Sequence, residues 1–255
     1  MPYSLITPGV YNAAASATTV TSPNLSSGSL TNPSLIWVVG GCAASTTTLN
    51  TPTDTKGNTY TLIGSHADSA GIQKLYHWYA YNTSTGANAV TVTSSASDTV
   101  CVYALEITGL ATSGAFLGHS ENGLVGSSGA NDVTSGTYNL SSLGGAPAAL
   151  VIGAATDSGG QLGAAGTSPN TFAYADTLYN TPGTGTILIS ASLGWDNILG
   201  NSVSYHAMGV EHLRVTSAPG NIACTWGDVN SNRHAAVMAI FAEASAGGPI
   251  IAWVV

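Results

Sequence analysis

Short runs of β-branched, aromatic and small apolar residues, each closed by glycine, asparagine, proline or serine, recur along the chain and restrict it to folds made of strands. They fall at 34–42, 59–63, 72–81, 88–93, 100–107, 148–156, 171–175, 185–192, 202–210, 221–226 and 234–242, the spacing of a sandwich. β-Branched and aromatic side chains fit a pleated, half-buried surface, and Gly, Asn, Pro and Ser form its corners. Within 87–93, Val90 and Val92 fall on one side and Thr91 and Thr93 on the other, the period-two pattern of a strand with one buried face. In 73–81 large residues occupy both faces, which predicts a strand covered on both sides or one with an aromatic outer face. Segment 234–246 also fits helical spacing through Val237, Ile240, Phe241 and Ala244. Its likeness to 100–107 decides for a strand. The expected fold is all-β, an antiparallel β-sandwich or jelly roll, and 255 residues is a length such folds carry as one domain.

An internal echo predicts two pseudo-repeated halves. Leu75-Tyr76-His77, Gly86-Ala87-Asn88, Val90 to Thr93 and Val102 to Ile107 are matched in order by Ser204-Tyr205-His206, Pro219-Gly220-Asn221, Ile222 to Thr225 and Val237 to Phe241. The predicted organisation is an N-terminal arm at 1–16, a single domain at 17–246, and a C-terminal strand or arm at 247–255. The halves lie at about 17–117 and 146–246, joined by a polar connection at 118–145 without strong periodicity. Both ends carry apolar anchors: Tyr3, Leu5 and Ile6 at one, and Ile250, Ile251, Trp253 and Val254 at the other. A free apolar strand invites pairing, so these residues are the candidate assembly contacts, on the chain's own sheet or on a neighbouring subunit.

Charged residues make up only 6% of the chain, and four basic residues face twelve acidic ones for a net charge of −8. Lys56, Lys74, Arg214 and Arg233 are scattered singly, which argues against nucleic acid, since phosphate binding needs clustered cations. A surface made soluble by hydroxyls and amides suits neutral partners, glycans or further protein copies, because little charge is desolvated on contact. No apolar run approaches a membrane span. Met1 to Leu5 shows no basic stretch followed by an apolar core, so the expectation is synthesis and retention in a cytoplasm, or a leader already removed. Cys42, Cys101 and Cys224 are far apart in strand-like contexts, as expected of buried free thiols, with a single disulfide or intersubunit bridge as the alternative.

Chemistry is sparsely signalled. Asp54-Thr55-Lys56-Gly57-Asn58-Thr59-Tyr60 reads as a tight hairpin, with glycine supplying positive φ and Asp or Asn capping the backbone. One carboxylate without an alternating acidic ladder is poor support for calcium. His66, His77, His119, His206, His212 and His234 show neither H-x-H nor H-E-x-x-H spacing, so no metal ligand or cofactor is expected. Tyr76-His77 and Tyr205-His206 occupy echoing positions that could converge. A glycosidase needs two facing carboxylates, for which Glu106, Glu211 and Glu243 are the candidates in or beside strands. No nucleophile elbow, phosphate loop or dinucleotide fingerprint is present, and no enzyme activity is expected. Trp78, Tyr79, Trp195 and Trp226 are candidates for stacking against a sugar ring, with core packing as the competing role.

The opening strand Leu35-Ile36-Trp37-Val38-Val39, the D-x-x-G-N-x-Y turn at 54–60, the G-x-x-x-V-T-V-T segment at 86–93 and the strand ending Ala104 to Gly109 resemble jelly-roll domains of phage and bacterial surface proteins. The resemblance covers mainly 34–110. It implies a non-enzymatic virion structural protein of a tailed phage: a capsid decoration, head fibre or tail component. Such a protein would be assembled in the host cytoplasm and displayed on the virion surface. Its partners would be other virion proteins and copies of itself, in a homo-oligomer such as a trimer. The alternatives are an extracellular carbohydrate-binding module and a glycan hydrolase acting through Glu106 or Glu211.

Overall fold

The computed structural model describes residues 4–30, 34–68, 70–81, 83, 86–125, 133–157, 207–218, 220–226 and 233–245. Among them there is no helix, and the strands pair antiparallel throughout. The first half of the chain supplies β1 (Ser4–Thr21), β2 (Leu25–Leu30), β3 (Ser34–Cys42), β4 (Thr53–Asp54), β5 (Thr61–Ala67), β6 (Lys74–Tyr81), β7 (Gly86–Asn88) and β8 (Val90–Thr108). The second supplies β9 (Phe116–Val125), β10 (Val133–Thr134), β11 (Tyr138–Leu140), β12 (Ala149–Asp157), β13 (Ala207–Val215), β14 (Gly220–Ile222), β15 (Thr225–Trp226) and β16 (Arg233–Ala242).

These strands form two main sheets and three short ribbons. The larger sheet has the order β1-β8-β3-β6-β5, with β4 also on β8, and the smaller has the order β13-β12-β16-β9. The ribbons are β2-β7, β11-β14 and β10-β15. The main sheets face each other across an apolar layer that takes Leu35, Trp37, Leu105 and Ile107 from one and Leu150, Ile152, Val237 and Phe241 from the other. This is the sandwich-like arrangement that two half-apolar sheets are driven to form.

Each main sheet also buries its outer face. Ile36, Val38, Trp78 and Val102 pack outward with Leu25 of β2, Leu49 and Tyr60. On the other sheet Val151, Met238 and Ile240 pack with Leu140 of β11 and Ile222 of β14. Strands covered on both sides should read as continuous apolar runs, and Ser34–Cys42 is buried at every position. Residues 73–81 follow the same logic. Tyr76 and Trp78 enter the outer core, while Leu75 joins the inter-sheet layer with Tyr79 and Tyr81 packed against it.

Several expected elements differ. The runs at 88–93 and 100–107 are one strand, β8, of 19 residues; Ser94 to Asp98 continues it beside β1, with register irregularities between Ala14 and Thr19. The segment read as an N-terminal arm is the start of β1, which runs antiparallel to β8 from Ser4 opposite Thr108 to Thr21 opposite Thr91, with register shifts after Ile6, Ala14 and Ala17. The connection at 118–145 contains most of β9, together with β10 and β11. Its alternation escapes a hydrophobic scan because the residues β9 turns toward the larger sheet include His119, Glu121 and Gly123, which are not aliphatic. The turn at 54–60 is no hairpin, because β4 pairs with β8 and β5 pairs with β6. The strands expected at 171–175 and 185–192, and the C-terminal segment 247–255, lie outside the described residues.

All three cysteines are buried, and none is joined in a disulfide. Burial pushes the Cys42 thiol up to about 12, with the nearby Asp98 charge adding to the effect. Burial also raises Cys101, to about 11.

Candidate functional site

Among the described residues, three metal-ligand-type side chains cluster where β6 of the larger sheet meets β9 of the smaller. Strand alternation sends Tyr76 and Trp78 into the outer core, so His77 projects from the opposite face of β6, toward the second sheet. On β9, His119 and Glu121 are two residues apart and share a face. Their partners on β16, Ala239 and Val237, belong to the inter-sheet core. Glu121 Oε1 lies 3.2 Å from His77 Nε2 and 2.7 Å from His119 Nδ1, so one carboxylate oxygen holds two imidazoles from different sheets. The three ligand-capable atoms fall within 4.8 Å of one another.

The His77 side chain is fully buried, while Glu121 and His119 retain 16% and 38% exposure, so the cluster opens to solvent on one side only. Burial lowers the His77 imidazole below its ordinary value, against the opposing pull of Glu121. Burial pushes Glu121 upward, but the hydrogen bond from His77 and the neighbouring imidazoles outweigh it and hold the carboxyl low. His77 Nδ1, on the far side of the ring, has no hydrogen-bond partner.

Glycine makes room for this cluster. Gly64 of β5 pairs with His77 across a register irregularity, and a Cβ at Gly64 would lie 1.7 Å from Glu121 Oε1 and 3.4 Å from His119 Cε1. Aromatic rings lead away from the site. Phe116 stacks on His119 at 5.9 Å between centroids and on Tyr79 at 5.6 Å, and Tyr79 meets Tyr81 edge-on at 5.0 Å.

The Asp54 turn is the second conspicuous polar group, and it is saturated. Oδ1 accepts from the backbone N–H groups of Lys56 and Asn58 at 3.0 Å each. Oδ2 accepts from Asn58 Nδ2, Tyr60 Oη and Asn88 Nδ2 at 2.7 to 2.8 Å. Gly57 takes φ +71°, the left-handed conformation that closes the turn. With its lone pairs met by these donors, the carboxylate serves as a structural hub tying the turn to β7.

The residues singled out in the sequence are dispersed. Trp78 is 1% exposed, its ring stacked on Tyr76 within the outer core, so it offers no free face to a sugar. Tyr79 is half-buried between Phe116 and Phe241. Trp195 lies outside the described residues, as do Tyr3, Ile250, Ile251, Trp253 and Val254 and the histidine expected to echo His77, His206. Of Trp226, Leu5, Ile6 and Glu211 only the backbone is described, within β15, β1 and β13. Glu106 is fully buried in β8. Glu243 is held by Arg214 through two hydrogen bonds of 2.6 and 2.7 Å.

H-x-H spacing does not reveal the pairing of His119 with Glu121. H-x-E on a strand places two ligand-capable groups on one face equally well. His77 is separated from them by more than 40 residues, and only the packing of the sheets brings it in. No protein-family model and no curated protein matches the chain.

Proposed function

We propose that this chain is a non-enzymatic structural subunit that assembles with copies of itself, as a virion component of a tailed phage displayed on the particle surface. The observation that carries the reading is the edge formed by β1. This strand ends the order of the larger sheet among the described residues, and its 18 residues include no Asp, Glu, Lys, Arg or His. Sheet edges present unmet N–H and C=O groups, and proteins that stay monomeric commonly blunt them with charge. A long uncharged edge on a chain of 6% charged residues is suited to strand addition by a second copy.

In this reading the body is a jelly-roll-like sandwich of two pseudo-repeated halves. The strand order β1-β8-β3-β6 has a counterpart in β9-β16-β12-β13, and the ribbon β2-β7 has one in β11-β14. Gly86 and Gly220, which open the equivalent strands β7 and β14, have φ of +104° and +79°.

Native mass spectrometry of the full chain, beside a variant carrying Ala15→Lys and Thr18→Lys at exposed β1 positions, tests assembly. The expected result is an oligomer that the two lysines dissociate while the circular dichroism stays unchanged. A monomeric parent chain, or an oligomer indifferent to the lysines, would overturn assembly through β1. Mass spectrometry of purified particles tests the virion assignment, which fails if the chain is absent from them.

A further inference from the structure

The inter-sheet cluster has a use that assembly does not require. We infer that His77, His119 and Glu121 form a binding site for one divalent transition metal, zinc above all, that ties the two main sheets together. The ligand set is two imidazole nitrogens and one carboxylate oxygen, contributed by strands of different sheets. Imidazole with carboxylate is a borderline donor set that suits zinc and cobalt; calcium and magnesium prefer all-oxygen shells.

Glu121 Oε1 sits 3.2 and 2.7 Å from the two nitrogens, and the three atoms lie within 4.8 Å of one another, so small side-chain shifts would bring all three to an ion at about 2.0–2.2 Å. Each neutral imidazole ligates through the nitrogen that faces Glu121 and carries its one N–H on the other ring nitrogen, so no net proton is released. The space is kept clear by Gly64, whose missing side chain would otherwise occupy the position of the Glu121 carboxylate. His77 has no exposure and is held through Nε2 alone, its Nδ1 having no partner. The 38% exposure of His119 supplies the entry path and leaves a fourth coordination position facing solvent.

Cobalt and zinc titrations of the full chain, freed of metal by chelation, provide the test. One equivalent of cobalt should produce the intense visible bands of a four-coordinate ion. One equivalent of zinc should bleach them and raise the melting temperature. His119→Ala and Glu121→Gln change partly exposed side chains and leave the buried His77 in place, so both variants are expected to fold. Each should abolish the bands and weaken zinc by more than the roughly 10- to 100-fold that loss of an outer-shell partner costs. Absence of cobalt bands in the parent chain, or zinc affinity equal in the parent and both variants, overturns the site. The second result would place the ion on other histidines. Neither outcome depends on whether the chain oligomerises through β1, so the two readings fail separately.

Discussion

Asp54 shows how much a single carboxylate can organise. Its two oxygens meet five donors from Lys56, Asn58, Tyr60 and Asn88. Replacing it by alanine strands several of them, and we expect a loss of about 1–3 kcal/mol, read as a lower urea midpoint at unchanged slope. Burial pushes this carboxyl upward, yet the hydrogen bonds from Asn88, Tyr60 and Asn58 prevail and hold it below 3.8. The folded chain therefore binds this proton less readily than the unfolded one. The contribution is complete at neutral pH and disappears as pH falls through the lowered value; Asp54→Asn should flatten that acid limb in a pH series of denaturation curves. The buried thiols give a second expectation at this scale. Cys42 and Cys101, with their raised values of about 12 and 11, should resist a thiol reagent at neutral pH until denaturant is added, and fast labelling of the native chain would contradict their burial. The Asp54 turn was legible in the sequence because its chemistry is local. The His77 contact with Glu121 was not, because no local pattern encodes how two sheets align.

Among the elements, β3 and β12 announce themselves as unbroken apolar runs and β9 does not. The face of β9 toward the larger sheet carries His119, Glu121 and Gly123, so hydrophobic alternation is absent although the backbone pairs regularly with β16. Gly123 records the reason for one of these choices. A Cβ there would lie 2.5 Å from the Ala67 carbonyl oxygen and 2.9 Å from Asp68 Cα, both backbone atoms that no rotamer change can move. Gly123→Ala should force β9 away from the end of β5 at a cost of about 1–3 kcal/mol. Hydrogen exchange should show the β9 to β16 amides losing protection first, and a neutral effect would mean that this approach is looser than the structure places it. The joining of 88–93 with 100–107 into β8 was also hidden, since Ser94-Ser95-Ala96-Ser97-Asp98 has the composition of a turn. Asp98 pairs with Ala17 of β1, and backbone bonds from Asn50 N–H to the Thr93 carbonyl and from Ser95 N–H to the Thr48 carbonyl hold the segment beside residues 48–50.

At the level of the whole molecule, one apolar layer joins the two main sheets. Phe241 is fully buried there, touching Tyr79 across the sheets and Phe116 on its own sheet. Phe241→Ala should cost about 3–5 kcal/mol and shift a single unfolding transition; two resolved transitions in calorimetry would show that the halves melt independently. The all-β class was legible from strand-length runs and glycine-rich corners, which depend only on neighbouring residues. The pairing of β1 with β8 was not, because it joins Ser4 to Thr108 across 104 residues. That separation has a consequence during synthesis. A ribosome adding about 5–20 residues per second leaves the first strand waiting on the order of ten seconds for its partner to emerge. Throughout that interval an uncharged, extended segment is exposed to every other nascent copy nearby. The edge proposed to join finished subunits would thus also be a hazard to unfinished ones, and yield should fall as translation is crowded or slowed between the two strands.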